Sequence, residues 1–277
     1  MNFGAHISSA GGLHMAPARA SEFGGTIFQM FSRPPQGGKP KPITSVETDL
    51  FNNAMKEAKM ERFYIHAPYF VNLASTDNRI YHSSISILRE ELERGSLLGC
   101  KGMMFHPGSA KGSTKEEAHA RVVVGINEIL KGYTGSCLLI IENAAGAGEI
   151  VGDTFESLAF FIESASEPKK IGVCLDTQHA FASGYDLRTK DAVKDTLHKF
   201  DQIVGLENLV VIHTNDSKIP FEGRKDRHEH LGKGHIGSDG FCALVKHEAL
   251  ADMDFILETP QDEFRGEDLK ILEKCQK

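Results

Sequence analysis

The chain has 277 residues, 40% of them hydrophobic and 25% charged, which is ordinary for a globular protein and enough for one sizeable core. A formal net charge of −7 argues against a general nucleic-acid binder, although three divalent ions at one mouth would bring it near −1 and leave a locally positive site. No apolar stretch approaches membrane-spanning length and Met1-Asn2-Phe3-Gly4-Ala5-His6 lacks the parts of a secretory signal, so a cytoplasmic protein with no membrane partner is expected.

In chain order, Phe3–Ile7 reads as the first strand, and Thr26–Phe31 as the second after a short helical stretch. A Pro/Gly-rich insert, Arg33–Pro42, follows. Val46–Met60 has helical spacing, with Val46, Leu50, Ala54 and Ala58 on one face. The run Arg62–Ile65 ends at His66, and the helical Arg79–Leu98 leads to Gly102–Phe105, which ends at His106. Thr114–Leu130 can be capped by Ser113-Thr114-Lys115-Glu116, and Leu138–Ile141 then ends at Glu142. Phe155–Ala165 precedes Ile171–Leu175, which ends at Asp176. Thr189–Phe200 precedes Leu209–Ile212, which ends at His213. Asp239–His247 precedes Asp254–Leu257, which ends at Glu258, and Asp262–Lys274 closes the series.

Short apolar runs of this kind are strands buried on both faces, and their alternation with helices implies parallel pairing. Six of the eight strands end on a metal-binding residue type, which makes sense only if those ends converge. The expected fold is α/β: a single (β/α)8 barrel domain over residues 1–277, with a metal site at the C-terminal ends of the strands. The five cysteines are scattered, without a Cys-x-x-Cys pair, and read as small buried thiols in a reducing compartment.

Loops on the same face add further donors. His179 lies three residues beyond Asp176, and Asp226 and His228 stand at i, i+2, pointing the same way in an extended segment. The candidate set is His66, His106, Glu142, Asp176, His179, His213, Asp226, His228 and Glu258. Nine donors fit two or three ions better than one. Imidazole with carboxylate and no thiolate suits Zn²⁺ first, then Mn²⁺ or Fe²⁺. Three Zn²⁺ against four carboxylates leave an excess of positive charge suited to a phosphodiester. A lone strand-end histidine is more often a satisfied polar residue than a ligand; nine donors all at strand ends or in the following loops are not an accident of that kind. His6 also ends a strand and is placed behind the ligands.

Read with their neighbours, these residues resemble the endonuclease IV family of apurinic/apyrimidinic endonucleases. The resemblance is densest at Gly4-Ala5-His6-Ile7-Ser8, His66-Ala67-Pro68-Tyr69-Phe70-Val71-Asn72-Leu73, Phe105-His106-Pro107-Gly108-Ser109, Ile141-Glu142-Asn143-Ala144-Ala145-Gly146, Val173-Cys174-Leu175-Asp176-Thr177-Gln178-His179-Ala180, Gly184-Tyr185-Asp186, His213-Thr214-Asn215-Asp216-Ser217-Lys218 and Asp226-Arg227-His228-Glu229. It implies a TIM barrel carrying three zinc ions. His66, His106 and Glu142 would hold the first; Glu142 would bridge to a second, held also by Asp176, His213 and Glu258; His179, Asp226 and His228 would hold the third. Glu142, His106 and Glu258 would be the catalytic members, with Mn²⁺ acceptable at some sites. The implied activity is DNA repair: hydrolysis of the phosphodiester 5′ to an abasic site, leaving a 3′-hydroxyl and a 5′-deoxyribose phosphate, and trimming of blocked 3′ ends. Double-stranded DNA would be the partner, with no obligatory protein partner. Tyr69 and Phe70 match the family's minor-groove wedge, Gln36 stands where relatives insert an arginine, and Lys218 and Arg227 would meet phosphates. The competing expectation is a sugar isomerase or epimerase of the xylose-isomerase-like barrels, which needs one or two ions and leaves the Asp226-x-His228 pair unexplained.

Overall fold

The computed structural model describes residues 1–277. Its first half runs β1 (Asn2–His6), α1 (Met15–Phe23), β2 (Ile27–Met30), α2 (Ser45–Glu57), β3 (Phe63–His66), α3 (Asn78–Leu98), β4 (Gly102–Phe105), α4 (Lys115–Leu130) and β5 (Leu138–Glu142). The second half runs α5 (Phe155–Glu163), β6 (Ile171–Asp176), α6 (Thr177–Ala182), α7 (Lys190–Ile203), β7 (Leu209–His213), β8 (Asp216–Ser217), β9 (His228–Glu229), α8 (Ser238–Val245), β10 (Asp254–Leu257) and α9 (Arg265–Gln276). Strands β1 to β7 and β10 form a closed barrel, all pairs parallel, so the chain is the expected TIM barrel. Closure falls between the first and last strands, where Asn2, Phe3, Gly4 and Ala5 register with Asp254, Phe255, Ile256 and Leu257.

Side chains alternate along a strand, so one parity of each strand faces the barrel interior. Ile27, Tyr64, Met104, Ile140, Cys174, Val211 and Ile256 form a compact apolar cluster separate from the larger core under the helices. Each comes from a different strand, and β1 supplies Gly4 at the matching position. A Cβ on Gly4 would lie 2.0 Å from the carbonyl oxygen of Ile27, so the tight first strand admits no side chain there.

Several local expectations change. In α2 the buried residues are Phe51 and Met55, whereas Val46 and Leu50 are exposed. The helix is turned about one residue from the predicted face, because Phe51 packs edge-on against Phe63 (4.9 Å between centroids). On α3 Ile80 is exposed, while Leu88, Leu92 and Leu98 are buried. Thr114 does cap α4, but its reciprocal partner is Glu117. Cys242 of α8 and Cys275 of α9 form a disulfide, which corrects the reading of all five cysteines as free thiols; Cys100, Cys137 and Cys174 are free and buried. No helix is long and apolar enough to cross a membrane.

Candidate metal centre

Two residues beyond each apolar interior position, the same parity brings up a second ring of inward side chains. Its members are His6, Gln29, His66, His106, Glu142, Asp176, His213 and Glu258. The barrel thus carries a polar layer one pleat above an apolar one, at the C-terminal mouth. Three more donors arrive from beyond the strands. The Asp176 carboxylate caps α6 by accepting from the His179 backbone N–H (2.8 Å), which aims His179 back across the mouth. The hairpin of β8 and β9 brings His228, with Asp226 just before it.

The donors fall into linked groups in which ligand atoms lie within 4.8 Å of one another: His66, His106 and Glu142; Glu142, Asp176, His213 and Glu258; Asp176, His179 and His228; and Glu142 and His213 with Cys174. Glu142 divides its two oxygens between the first two. Its Oε2 faces His66 Nε2 (3.2 Å) and His106 Nε2 (3.6 Å), and its Oε1 faces His213 Nδ1 (3.0 Å). His213 Nδ1 also lies 3.2 Å from Glu258 Oε2. In the third group Asp226 approaches His179 Nε2 at 3.4 Å and His228 Nε2 at 3.3 Å. Asp176, assigned by the resemblance to the second group alone, also reaches His228 Nε2 (3.7 Å) and is shared between two groups.

The imidazoles are oriented from behind. His66 Nδ1 donates to the Ala67 carbonyl (2.6 Å), His179 Nδ1 to the Asn143 carbonyl (3.0 Å) and His228 Nδ1 to the Glu258 carbonyl (3.1 Å). In each case the Nε2 lone pair is left facing the carboxylates, the arrangement that metal-binding histidines require. Asn143, next to Glu142, and Asn215, two residues after His213, brace Asp176: the Asp176 N–H donates to Asn143 Oδ1 (2.6 Å), and Asn215 Nδ2 donates to Asp176 Oδ2 (2.6 Å).

No lysine or arginine comes within ion-pairing distance of these four carboxylates. Burial alone would raise Glu142, but the imidazoles of His106 and His213 outweigh it and hold its carboxyl well below the usual range. Glu258 is held down in the same way, chiefly by His213. Asp226 is brought to about 2 by His179 and His228 against the effect of burial. Burial lowers His179 and His213, yet their acidic neighbours leave both well above the ordinary histidine value. Protons and metal ions compete for these lone pairs. The Cys174 thiol at the edge of the second group is pushed by burial up to about 12, so it stays protonated. Four carboxylates without lysine or arginine partners, Glu142 and Asp176 fully buried, opposed by imidazoles whose inner nitrogens face them, make a donor set that fits borderline divalent metal ions.

All nine expected metal donors meet at this mouth, around a cavity of about 310 Å³ lined by His6, Phe31, Tyr69, His106, His179 and Arg265 among others. Tyr69 lines it, 65% exposed and edge-on to Phe31 (5.3 Å), and the neighbouring Phe70 is 45% exposed. Gln36 is exposed on the loop after β2. That loop is fastened at both ends: Arg94 donates to the carbonyls of Ser32 (2.5 Å) and Lys41 (2.7 Å), and buried Arg33 pairs with Glu91 (2.7 Å). Lys218 and Arg227 are exposed beside the β8–β9 hairpin; Arg227 also donates to the Asp226 carbonyl (2.6 Å). The residue missed by sequence reasoning is Gln29, which completes the inward ring and was legible from strand parity alone.

A family model described as xylose isomerase-like TIM barrel matches residues 17–275. Relatives named probable endonuclease 4 include one from Halothermothrix orenii, 37% identical over 98% of this chain and 98% of its own. Another, from Aquifex aeolicus, is 38% identical over 94% of this chain and 92% of its own. Among solved structures, endonuclease IV from Thermus thermophilus superimposes with a TM-score of 0.88 at 33% identity, over 99% of this chain and 98% of that one. A D-tagatose 3-epimerase-like protein shares the fold, with a TM-score of 0.75 at 18% identity.

Proposed function

The chain belongs to the endonuclease IV family and is a nuclease of the hydrolase class; from that premise we propose that it cleaves double-stranded DNA on the 5′ side of abasic sites in DNA repair, leaving a 3′-hydroxyl and a 5′-deoxyribose phosphate, and trims blocked 3′ ends. The observation that carries the reading is Glu142, whose two oxygens face separate imidazole groups and so suit a bridge between two ions. His66 and His106 complete one group, Asp176, His213 and Glu258 the next, and His179, Asp226 and His228 the third, with Asp176 close to both of the latter. Three zinc ions, with Mn²⁺ acceptable at some sites, would supply when bound a hydroxide near neutral pH and Lewis-acid stabilisation of attacking and leaving oxygens.

The chain's own residues do the rest. His106 and Glu258 line the cavity where the scissile phosphate would lie, and Glu142, buried beneath it, joins the first two groups as the third catalytic member. Tyr69 and Phe70, aromatic and exposed, serve as the wedge that unstacks the duplex. An abasic nucleotide has neither base stacking nor pairing to lose, so it swings into the mouth at the least cost, and that difference is itself selectivity. Gln36 contacts the gap left behind, and Lys218 and Arg227 meet backbone phosphates. The enzyme works in the cytoplasm without an obligatory protein partner.

The test is a duplex oligonucleotide with one abasic site, incubated with protein whose metal content has been counted, before and after chelation. About three zinc ions per chain, cleavage giving a 3′-hydroxyl and loss of cleavage on chelation are expected. One ion per chain with ketose epimerisation in place of cleavage would replace this reading with the sugar-epimerase one.

A further inference from the structure

Gln29 lies on β2, fully buried, in the ring that otherwise holds only histidines and acids. Its amide touches residues from three other strands. Nε2 is 2.6 Å from Glu258 Oε1 and 2.8 Å from His6 Nδ1, and Oε1 is 2.7 Å from His213 Nε2. Glu258 settles the orientation of that amide. An ionised carboxylate only accepts, so the amide nitrogen must face it, and the amide oxygen therefore faces His213. An oxygen there requires His213 to carry its proton on Nε2. The Nδ1 lone pair is then free and points at Glu142 and Glu258. The same donation holds Glu258 by Oε1 and leaves Oε2 turned toward His213.

His66, His179 and His228 take the corresponding contact from backbone carbonyls, which no side-chain substitution removes. His213 takes it from a side chain. We propose that Gln29 is the positioning residue of the Glu142–Asp176–His213–Glu258 group: one amide sets the tautomer of one ligand and the rotamer of another, so that a single ion depends on it. The inference rests on the three-ion reading above.

The test compares wild type with Gln29→Met, which keeps the volume and removes all three polar contacts, and Gln29→Glu, which keeps an acceptor toward His213. Zinc is titrated against a chromogenic chelator, and histidine ring N–H groups are followed by ¹⁵N NMR in the zinc-loaded proteins. In Gln29→Met, one of the three zinc ions should bind on the order of 10–100-fold more weakly, with the other two unchanged and the His213 Nε2–H signal lost. In Gln29→Glu that signal should persist. Wild-type affinity for every ion in Gln29→Met, or weakening shared equally by all three, would overturn the assignment. Should the Met variant fail to fold, loss of the His213 signal in Gln29→Glu would overturn it instead. A wild-type chain holding only two ions would count against the three-ion reading, while the difference between variant and wild type would still decide Gln29.

Discussion

Strand β10 points two carboxylates into the barrel four residues apart, Asp254 at the floor and Glu258 at the mouth, about 13 Å along the strand. Asp254 is surrounded by its own chain: Tyr64 Oη donates at 2.7 Å, Asn2 Nδ2 at 2.8 Å, Arg62 Nη1 at 3.1 Å and Lys101 Nζ at 3.3 Å. Glu258 meets an amide and two imidazoles, and no lysine or arginine within ion-pairing distance. Both are acids inside one barrel, yet only the floor is paired with lysine and arginine, whereas the mouth acid meets titratable imidazoles. A carboxylate among imidazoles, with no lysine or arginine, suits a metal ion, whereas the fully buried acid at the floor is satisfied by its own chain.

The sharpest way to break that contrast is Glu142→Gln, which keeps the shape and removes the bridging charge. Cleavage of abasic duplex should fall by at least about 10²–10³-fold, the loss typical of removing one electrostatic stabiliser, while binding of the same duplex persists. Near wild-type cleavage would show that the mouth does not need this acid. At the floor, Asp254→Ala should do the opposite. It leaves the buried Tyr64 hydroxyl only the long contact to the Val210 carbonyl (3.4 Å) and should cost about 1–3 kcal/mol in urea unfolding, while cleavage per folded molecule stays unchanged.

Arg94→Met probes the fastened loop between these extremes. Losing the contacts to Ser32 and Lys41 should leave zinc content intact and weaken abasic-duplex binding by about tenfold, the cost of ordering a freed loop. The smallest effect concerns His230, a mouth-side histidine satisfied in the manner of the floor, by Asp268 (2.8 Å) and Asp262 (3.1 Å). Burial lowers it, but the two aspartates outweigh burial and raise it above the ordinary 6.5. A raised histidine contributes stability below its unfolded value and loses it as pH rises through the folded one. Wild type should therefore lose on the order of 1 kcal/mol or less relative to His230→Asn between pH 6 and pH 9, measured by urea unfolding.

The strands and the donor set were legible because both depend on short-range pattern: an apolar run buried on two faces, then a ligand-type residue at its end. What escaped depends on distant partners. The apolar stripe of α2 is wide enough to be read on either side, and only the contact of Phe51 with Phe63 selects one. Helix α6 has six residues and no periodic signal; it forms because Asp176, at the end of β6, is also its cap. Cys242 and Cys275 are 33 residues apart and meet only because α8 and α9 pack side by side. Gln29 was passed over because glutamine is not a ligand type, although its place in the alternation marked it.

The seam of the barrel lies between β1 and β10, so the first strand finds its second neighbour only after the last has emerged. Glu258 arrives with that strand, one residue past its end. A nascent chain whose last strand is still inside the ribosome can collect several imidazoles but cannot finish the cluster. The full donor set therefore comes together only on barrel closure, and products truncated before β10 would lack Glu258.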